Sequence, residues 1–319
     1  MKHRMLKQKG LTLVELLIAI FLGLIVSAGL LQVLLSNKST SRVQSEVSRL
    51  QESARFAVES ISQDLRSADY WGCNEDIARV TNHVTDTTSD AYFNIENSIS
   101  GTDGEDEKTP DSIKLVGAKL INESKLKPDT DINTASSVGF TDNNIDTSDY
   151  VGKAIMIANC LQSDIFEVNA VVGKTFVHNQ ALSGEYDNRA FFYSPFEVEY
   201  LIKENKLIRK LNDQESVVAS NVKNMQIFYG EDTSGDGFAN QFVSQTDVND
   251  FNAVVSVKLH LLLSTPSENV ASQPQANDYA KLLAYQKVDN MSATSAGNYD
   301  DNAIYYPFTF TIAVRNRIL

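Results

Sequence analysis

The chain has 319 residues, 28 of them basic and 41 acidic, for a net charge of −13. A field of that sign excludes nucleic-acid binding through general electrostatics, which rests on Lys and Arg neutralising phosphates. The length allows two domains but is also enough for a single substantial core.

The N-terminus is the most informative stretch. Lys2, Arg4, Lys7 and Lys9 precede a run, residues 11–35, whose only charge is Glu15. As a helix this run spans about 37 Å, enough to cross a bilayer core of about 30 Å. The basic flank belongs on the cytoplasmic side, so the rest of the chain lies outside. A carboxylate inside such a run costs about 2.5–3.5 kcal/mol at the centre and less near an interface. Glu15 therefore either sits at the headgroup level or meets a positive partner in the membrane. Cleavage after Gly10 would create that partner, the new α-amino group of Leu11 on a neighbouring chain.

The segment Lys9-Gly-Leu-Thr-Leu-Val-Glu-Leu-Leu-Ile-Ala19 resembles the class III signal of type IV prepilins and pseudopilins. The resemblance implies that prepilin peptidase removes residues 1–10 after Gly10 and that the Leu11 amine is methylated. It also implies that Glu15, fifth in the mature chain, acts in assembly. Leu11 departs from the usual Phe at the new N-terminus. An ordinary secretory signal is cut at an Ala-x-Ala-like site after its apolar region. Here that place reads Leu35-Ser-Asn-Lys-Ser-Thr40 and does not fit. Loss of the leader leaves 24 basic against 41 acidic residues, a net charge of −17.

The helical pattern continues beyond the membrane run. Val43, Val47, Leu50, Ala54, Val58, Ile61 and Leu65 recur at spacings of three and four, one apolar stripe. Arg42 with Glu46, and Arg55 with Glu59, stand four apart with opposite charge. The pattern predicts one proline-free helix of about 55 residues, roughly 80 Å long. Its first half faces lipid or other helices, and its second half packs on a head.

Five blocks resemble the PilW family of minor pilins: Arg49-Leu-Gln-Glu-Ser-Ala-Arg-Phe-Ala57, Asp64-Leu-Arg-Ser-Ala-Asp-Tyr-Trp-Gly-Cys73, Tyr229-Gly-Glu-Asp-Thr-Ser-Gly-Asp-Gly237, Val254-Val-Ser-Val-Lys-Leu-His-Leu-Leu-Leu263 and Phe308-Thr-Phe-Thr-Ile-Ala-Val-Arg-Asn-Arg317. The expected fold is α+β and type IV pilin-like, a long N-terminal spine helix packed on an antiparallel β-sheet head. The expected divisions are the leader 1–10, the membrane and assembly half 11–35, the amphipathic half 36–68 and the head 69–319.

Within the head, residues 74–111, 122–150 and 264–303 read as polar insertions. Residues 74–111 read as loop, with a short strand at 113–120 after it and a short helix at 280–285 in the last insertion. Strands are expected at 154–158, 164–172, 175–178, 196–202, 206–211, 222–229, 254–263 and 308–314. Glu204-Asn205 is the turn of a hairpin. The two cysteines, Cys73 and Cys160, lie in a disulfide-permissive place. They form one bridge or stay as two buried thiols. Tyr70 and Trp71 are expected to cover the end of the core.

Asp232-Thr-Ser-Gly-Asp-Gly237 matches the first half of a calcium loop, with Asp232, Ser234 and Asp236 as candidate ligands and Asp247 or Asp250 completing the set. The twelfth position is Val243, so the EF-hand pattern fails, and a plain Asp/Gly turn is the other reading. No nucleophile elbow, phosphate loop or dinucleotide fingerprint is present. Ser220 and Lys223 have Ser-x-x-Lys spacing without companion motifs, and His83, His178 and His260 lack metal-ligand spacing.

The sequence therefore points away from an enzyme. The PilW resemblance implies a minor pilin in pilus assembly, in a tip or initiation complex with other minor pilins. Its partners would be the major pilin, prepilin peptidase, the inner-membrane assembly platform and a large tip adhesin. The alternatives are a J-like minor pseudopilin of type II secretion and a tip adhesin or binding module. The implied location is the inner membrane with the head in the periplasm, then the pilus tip.

Overall fold

The computed structural model describes residues 12–73, 77–86, 93–105, 109–127, 136–141, 147–183, 185–267, 270 and 302–317. The leader, Gly10 and Leu11, and the helix expected at 280–285 lie outside these residues. One helix, α1 (Leu13–Ser67), runs for 55 residues. Thr12 caps its N-terminus and Ala68 ends it with extended backbone. The next residue, Asp69, has φ 59° and turns the chain back onto the head.

The two halves of α1 differ as the apolar pattern predicts. Every residue from 13 to 35 is exposed, whereas Leu50, Ala54, Ala57, Ile61 and Leu65 are buried. Val43, Val47 and Val58 of the stripe are half-buried. Glu46 is also turned inward, its carboxylate accepting a hydrogen bond from Ser267 Oγ at 3.1 Å, so it does not serve as the surface partner of Arg42.

Fifteen described strands follow: β1 (Val80–Asn82), β2 (Ile99–Thr102), β3 (Ser112–Lys125), β4 (Ser137–Gly139), β5 (Ala154–Ala158), β6 (Ser163–Glu167), β7 (Ala170–Val171), β8 (Thr175–Val177), β9 (Phe191–Lys203), β10 (Lys206–Leu211), β11 (Gln214–Ser220), β12 (Val222–Glu231), β13 (Gln241–Val243), β14 (Val254–Ser264) and β15 (Tyr305–Ala313). They form three sheets.

The eight-stranded sheet runs β1-β6-β5-β9-β10-β11, with β3 on the other side of β9 and β2 beyond it. The middle strand, β9, pairs with β5 through residues 191–193 and with β10 through residues 198–203. Pro195, which has no N–H to donate, falls where β5 leaves off and β10 begins. The four-stranded sheet, β13-β12-β14-β15, is antiparallel, and so is the three-stranded sheet, β4-β8-β7.

Helix α1 packs its inward face against both larger sheets. The main core joins Leu50, Ala54, Ile61 and Leu65 to Leu115, Val198 and Leu207 of one sheet and to Ile227, Leu259 and Leu261 of the other. Gly117 on β3 permits the closest approach, because a Cβ there would lie 2.6 Å from the carbonyl oxygen of Ser67. A second core of Phe140, Phe166, Phe176 and Phe192 lies by the three-stranded sheet, and a third surrounds Trp71.

Several expectations need correction. The head is antiparallel as expected apart from one described pair, β1 with β6, which is parallel. Residues 74–111 are not all loop: they contain β1 and β2 and bury Val80, Val84, Phe93 and Ile99. The strand expected at 113–120 is the 14-residue β3. Residues 122–150 are not only surface, because Leu126, Val138 and Phe140 enter the second core. The run 164–172 divides into β6 and β7, and β11 had no counterpart among the expected strands. The misses at 74–111 and 122–150 come from mainly polar segments with a few apolar residues that become buried only through distant partners.

Candidate functional site

The functional surface suggested by the sequence begins at the free end of α1. Thr12 and Glu15 form a reciprocal cap there. The Thr12 N–H and hydroxyl both donate to Glu15 Oε2 at 3.0 Å, and the Glu15 N–H donates to Thr12 Oγ1 at 3.3 Å. Glu15 is thus held by its own chain at the start of the helix, and two of the helix's unpaired N-terminal donors are satisfied. The apolar side chains that follow are bare over all faces of the helix, and none of the described residues of the head covers them. Its length and composition fit a membrane anchor or a packing face for other apolar helices.

The other half of α1 is seated by charged contacts as well as by its apolar stripe. Asp64 points into the head and is 3% exposed. Arg209 of β10 donates to it from Nε at 2.6 Å and from Nη2 at 3.0 Å, and the Tyr200 hydroxyl donates at 2.7 Å. Ser60 Oγ lies 2.8 Å from the same hydroxyl. Burial, with the Asp64 charge beside it, pushes the Tyr200 phenol up. A hydrogen bond to Asp64 raises the Arg209 guanidinium, keeping it charged. The arrangement is a bidentate pair in which the tyrosine hydroxyl shares Oδ2 with the guanidinium.

Where α1 ends, the C-terminal tail closes over it. Arg317 donates from Nε to Asp69 Oδ2 at 2.5 Å and from Nη1 to the carbonyl oxygens of Phe251 and Val254. Asn316 Nδ2 donates to the carbonyl oxygens of Ala68 at 2.7 Å and Arg66 at 3.3 Å. Trp71 Nε1 donates to Asp69 Oδ1 at 3.1 Å, and the ring is 2% exposed. The tail block and the block after the helix therefore meet in space, 248 residues apart between Asp69 and Arg317. Tyr70 packs edge-on against Tyr193.

Cys73 and Cys160 are joined as a disulfide. It ties the segment leaving α1 to the turn between β5 and β6. A second tie holds the same segment. The buried Asp164 of β6 accepts hydrogen bonds from His83 Nε2 at 2.6 Å, Ser183 Oγ at 2.5 Å and Tyr186 Oη at 2.6 Å. Burial alone would raise the Asp164 carboxyl, but these donors hold it below its ordinary value. The four residues come from three separate stretches, so no spacing in the sequence announces them.

The calcium candidates take the geometry of a turn. Asp232 Oδ1 accepts the N–H groups of Ser234 at 3.0 Å and Gly235 at 2.6 Å, and Oδ2 accepts that of Gly237 at 2.6 Å. Asp236 Oδ1 accepts the Phe238 N–H at 3.0 Å. Asp247 accepts from Ser244 Oγ, and Asp250 accepts the Asn252 N–H. Among the described residues no group of three His, Cys, Asp or Glu is arranged to hold a metal ion.

Residues 197–316 match the family described as Type IV Pilus-assembly protein W, and residues 5–31 match the Prokaryotic N-terminal methylation motif. The first match includes the blocks at 229–237 and 254–263 and nearly all of the tail block, but not those at 49–57 and 64–73. Among solved structures, the chain is similar to the Type IV-like pilin TTHA1219 from Thermus thermophilus, with 9% identity over 85% of this chain and 98% of that one and a TM-score of 0.38. No curated protein matches the chain.

Proposed function

Taking as premise that the chain is a PilW-family minor pilin of type IV pilus assembly, we propose that it works as a structural subunit in a tip or initiation complex with other minor pilins. The observation that carries this reading is the division of α1: its inner half is bound into the head, and its outer half is bare and apolar. In the proposed sequence of events, prepilin peptidase cuts after Gly10 and the Leu11 amine is methylated. The subunit is held in the inner membrane by residues 11–35, with its head in the periplasm. The assembly platform then moves it into the filament, where lipid contacts are exchanged for contacts with the helices of the major pilin and the other minor pilins. Glu15 sets the axial register by pairing with the Leu11 amine of a neighbour, because a buried charge left alone is costly. The work is mechanical rather than catalytic, and a large adhesin at the tip is a further proposed partner.

Surface piliation of a deletion strain tests the role, with retraction active and with retraction blocked. Loss of pili that is reversed by blocking retraction supports initiation. Unchanged piliation in both backgrounds overturns it.

A further inference from the structure

Outside the apolar half of α1, two phenylalanines stand bare on the surface: Phe56, 61% exposed, and Phe238, 73% exposed. Their surroundings differ in charge. Phe238 lies on the loop between β12 and β13, beside the exposed Asp236 and the half-buried Asp232. The same end of the head carries Asp103, which accepts the N–H groups of Gln245 and Thr246, together with Asp247 and Asp250.

The loop is ordered by its own contacts. Asp232 gathers the N–H groups around it, Asn240 Oδ1 accepts from Thr233 at 2.7 Å, and Gly235 and Gly237 adopt φ of 75° and 82°, where a side chain would be strained. An aromatic on such a support loses little conformational entropy when it is covered by a partner.

Phe56 lies on the outward face of α1. At 3.6 residues per turn, Lys38, Arg42, Arg49, Glu52 and Phe56 fall within about 40° of one line. All five are exposed. Residues 11–68 hold five acidic and five basic side chains, so the whole mature charge of −17 belongs to residues 69–319. Two of the five helix acids, Glu46 and Asp64, turn inward. The outward stripe between residues 38 and 49 is therefore basic, next to a strongly acidic head.

We propose that the Phe238 loop is a docking point of the head for the spine helix of a neighbouring pilin, on a face of the kind formed here by Lys38, Arg42, Arg49 and Phe56. This rests on the pilin reading above and names the surface that reading requires. Opposite charge orients the two surfaces, and the aromatic supplies the desolvated contact. A loop-on-helix contact is heterologous, joining unlike surfaces of two subunits, and so can link successive subunits along a filament axis.

The test uses the full-length chain in cells that assemble pili, with p-benzoylphenylalanine in place of Phe238. The expected result is a light-dependent adduct with a pilin subunit, mapped by mass spectrometry to its helix just beyond the apolar half. A second copy of this chain counts as such a subunit. With the photoreactive residue kept at 238, Asp236→Lys is expected to lower the adduct yield by about tenfold while the Cys73–Cys160 bridge still forms, a sign that the head folds. An adduct confined to a non-pilin protein, to lipid or to another pilin's β-rich head overturns the proposal, as does no adduct from a subunit recovered in sheared pili. If the subunit never appears in pili, the pilin reading falls with it, so the two failures are told apart.

Discussion

Asp64, on the inward face of α1, is held by both arms of Arg209, at 2.6 and 3.0 Å, across 145 residues of sequence. The pair fixes the rotation of the spine about its own axis, because Asp64 can meet Arg209 only when Ile61 and Leu65 face the sheets. Asp64→Ala would leave the guanidinium and the Tyr200 hydroxyl without their acceptor. The expected loss is about 3 kcal/mol of stability, the usual cost of breaking a buried pair from one side. Chemical unfolding in detergent checks it, read by the fluorescence of Trp71, the single tryptophan. A loss below about 0.5 kcal/mol would place the pair in the class of surface bridges.

The disulfide closes a separation of 87 residues. By loop entropy it contributes about 4.5 kcal/mol. Cys160→Ser should lower the unfolding midpoint, and reductant should bring the parent chain down to the level of the variant without lowering the variant further. Because the bridge and the Asp164 cluster hold the same segment, a chain lacking both should lose β1 first, seen as faster amide exchange at residues 80–82.

Two buried groups titrate in opposite senses. Burial pushes Asp111, which accepts N–H groups from Gly104 and Ile227, up to about 6 from 3.8. Between those values the folded state binds the extra proton, so this residue's contribution weakens the fold as pH rises. Burial and the nearby Lys258 push His260 down to about 4 from 6.5. There the unfolded state binds the extra proton, so its contribution weakens the fold as pH falls from 6.5 to 4. Each effect is on the order of 3 kcal/mol, and they largely cancel in the parent chain. Asp111→Asn should therefore lose stability steeply from pH 6.5 to 4, and His260→Gln should gain it. Unfolding midpoints across that range decide the matter, and parallel curves for both variants would refute the assignment.

Glu15→Ala removes the acceptor of the Thr12 cap. Its effect on the folded head should be under about 1 kcal/mol, since the cap lies at the free end of the helix. Incorporation into pili should fall sharply while membrane insertion is retained. Immunoblots of sheared pili and membranes separate the two, and normal incorporation would remove Glu15 from the register mechanism.

Parts of the head were legible where composition alternates cleanly. The hairpin of β9 and β10 turns at Glu204 and Asn205, with φ of 52° and 57°, as the alternation around them predicts. The next hairpin uses the same chemistry at Asn212 and Asp213, with φ of 44° and 68°, yet β11 carries no readable strand pattern. That strand is an edge whose register shifts opposite Leu207 and Ile208, and its first four residues are exposed, so no face of it is uniformly apolar. Asp64 offered a clue, standing three residues after Ile61 on the buried stripe, but its partner Arg209 had none.

The sequence by itself determined the spine, its two halves and the methylation motif matched by residues 5–31. Those depend on local composition, helical periodicity and a contiguous motif, all of which are properties of neighbouring residues. The tertiary structure alone decided which polar side chains turn inward. Asp64 with Arg209, Asp164 with His83, and Arg317 with Asp69 are each bound across more than 80 residues. Burying a charge is tolerable only beside its partner, and only the completed fold brings such partners together.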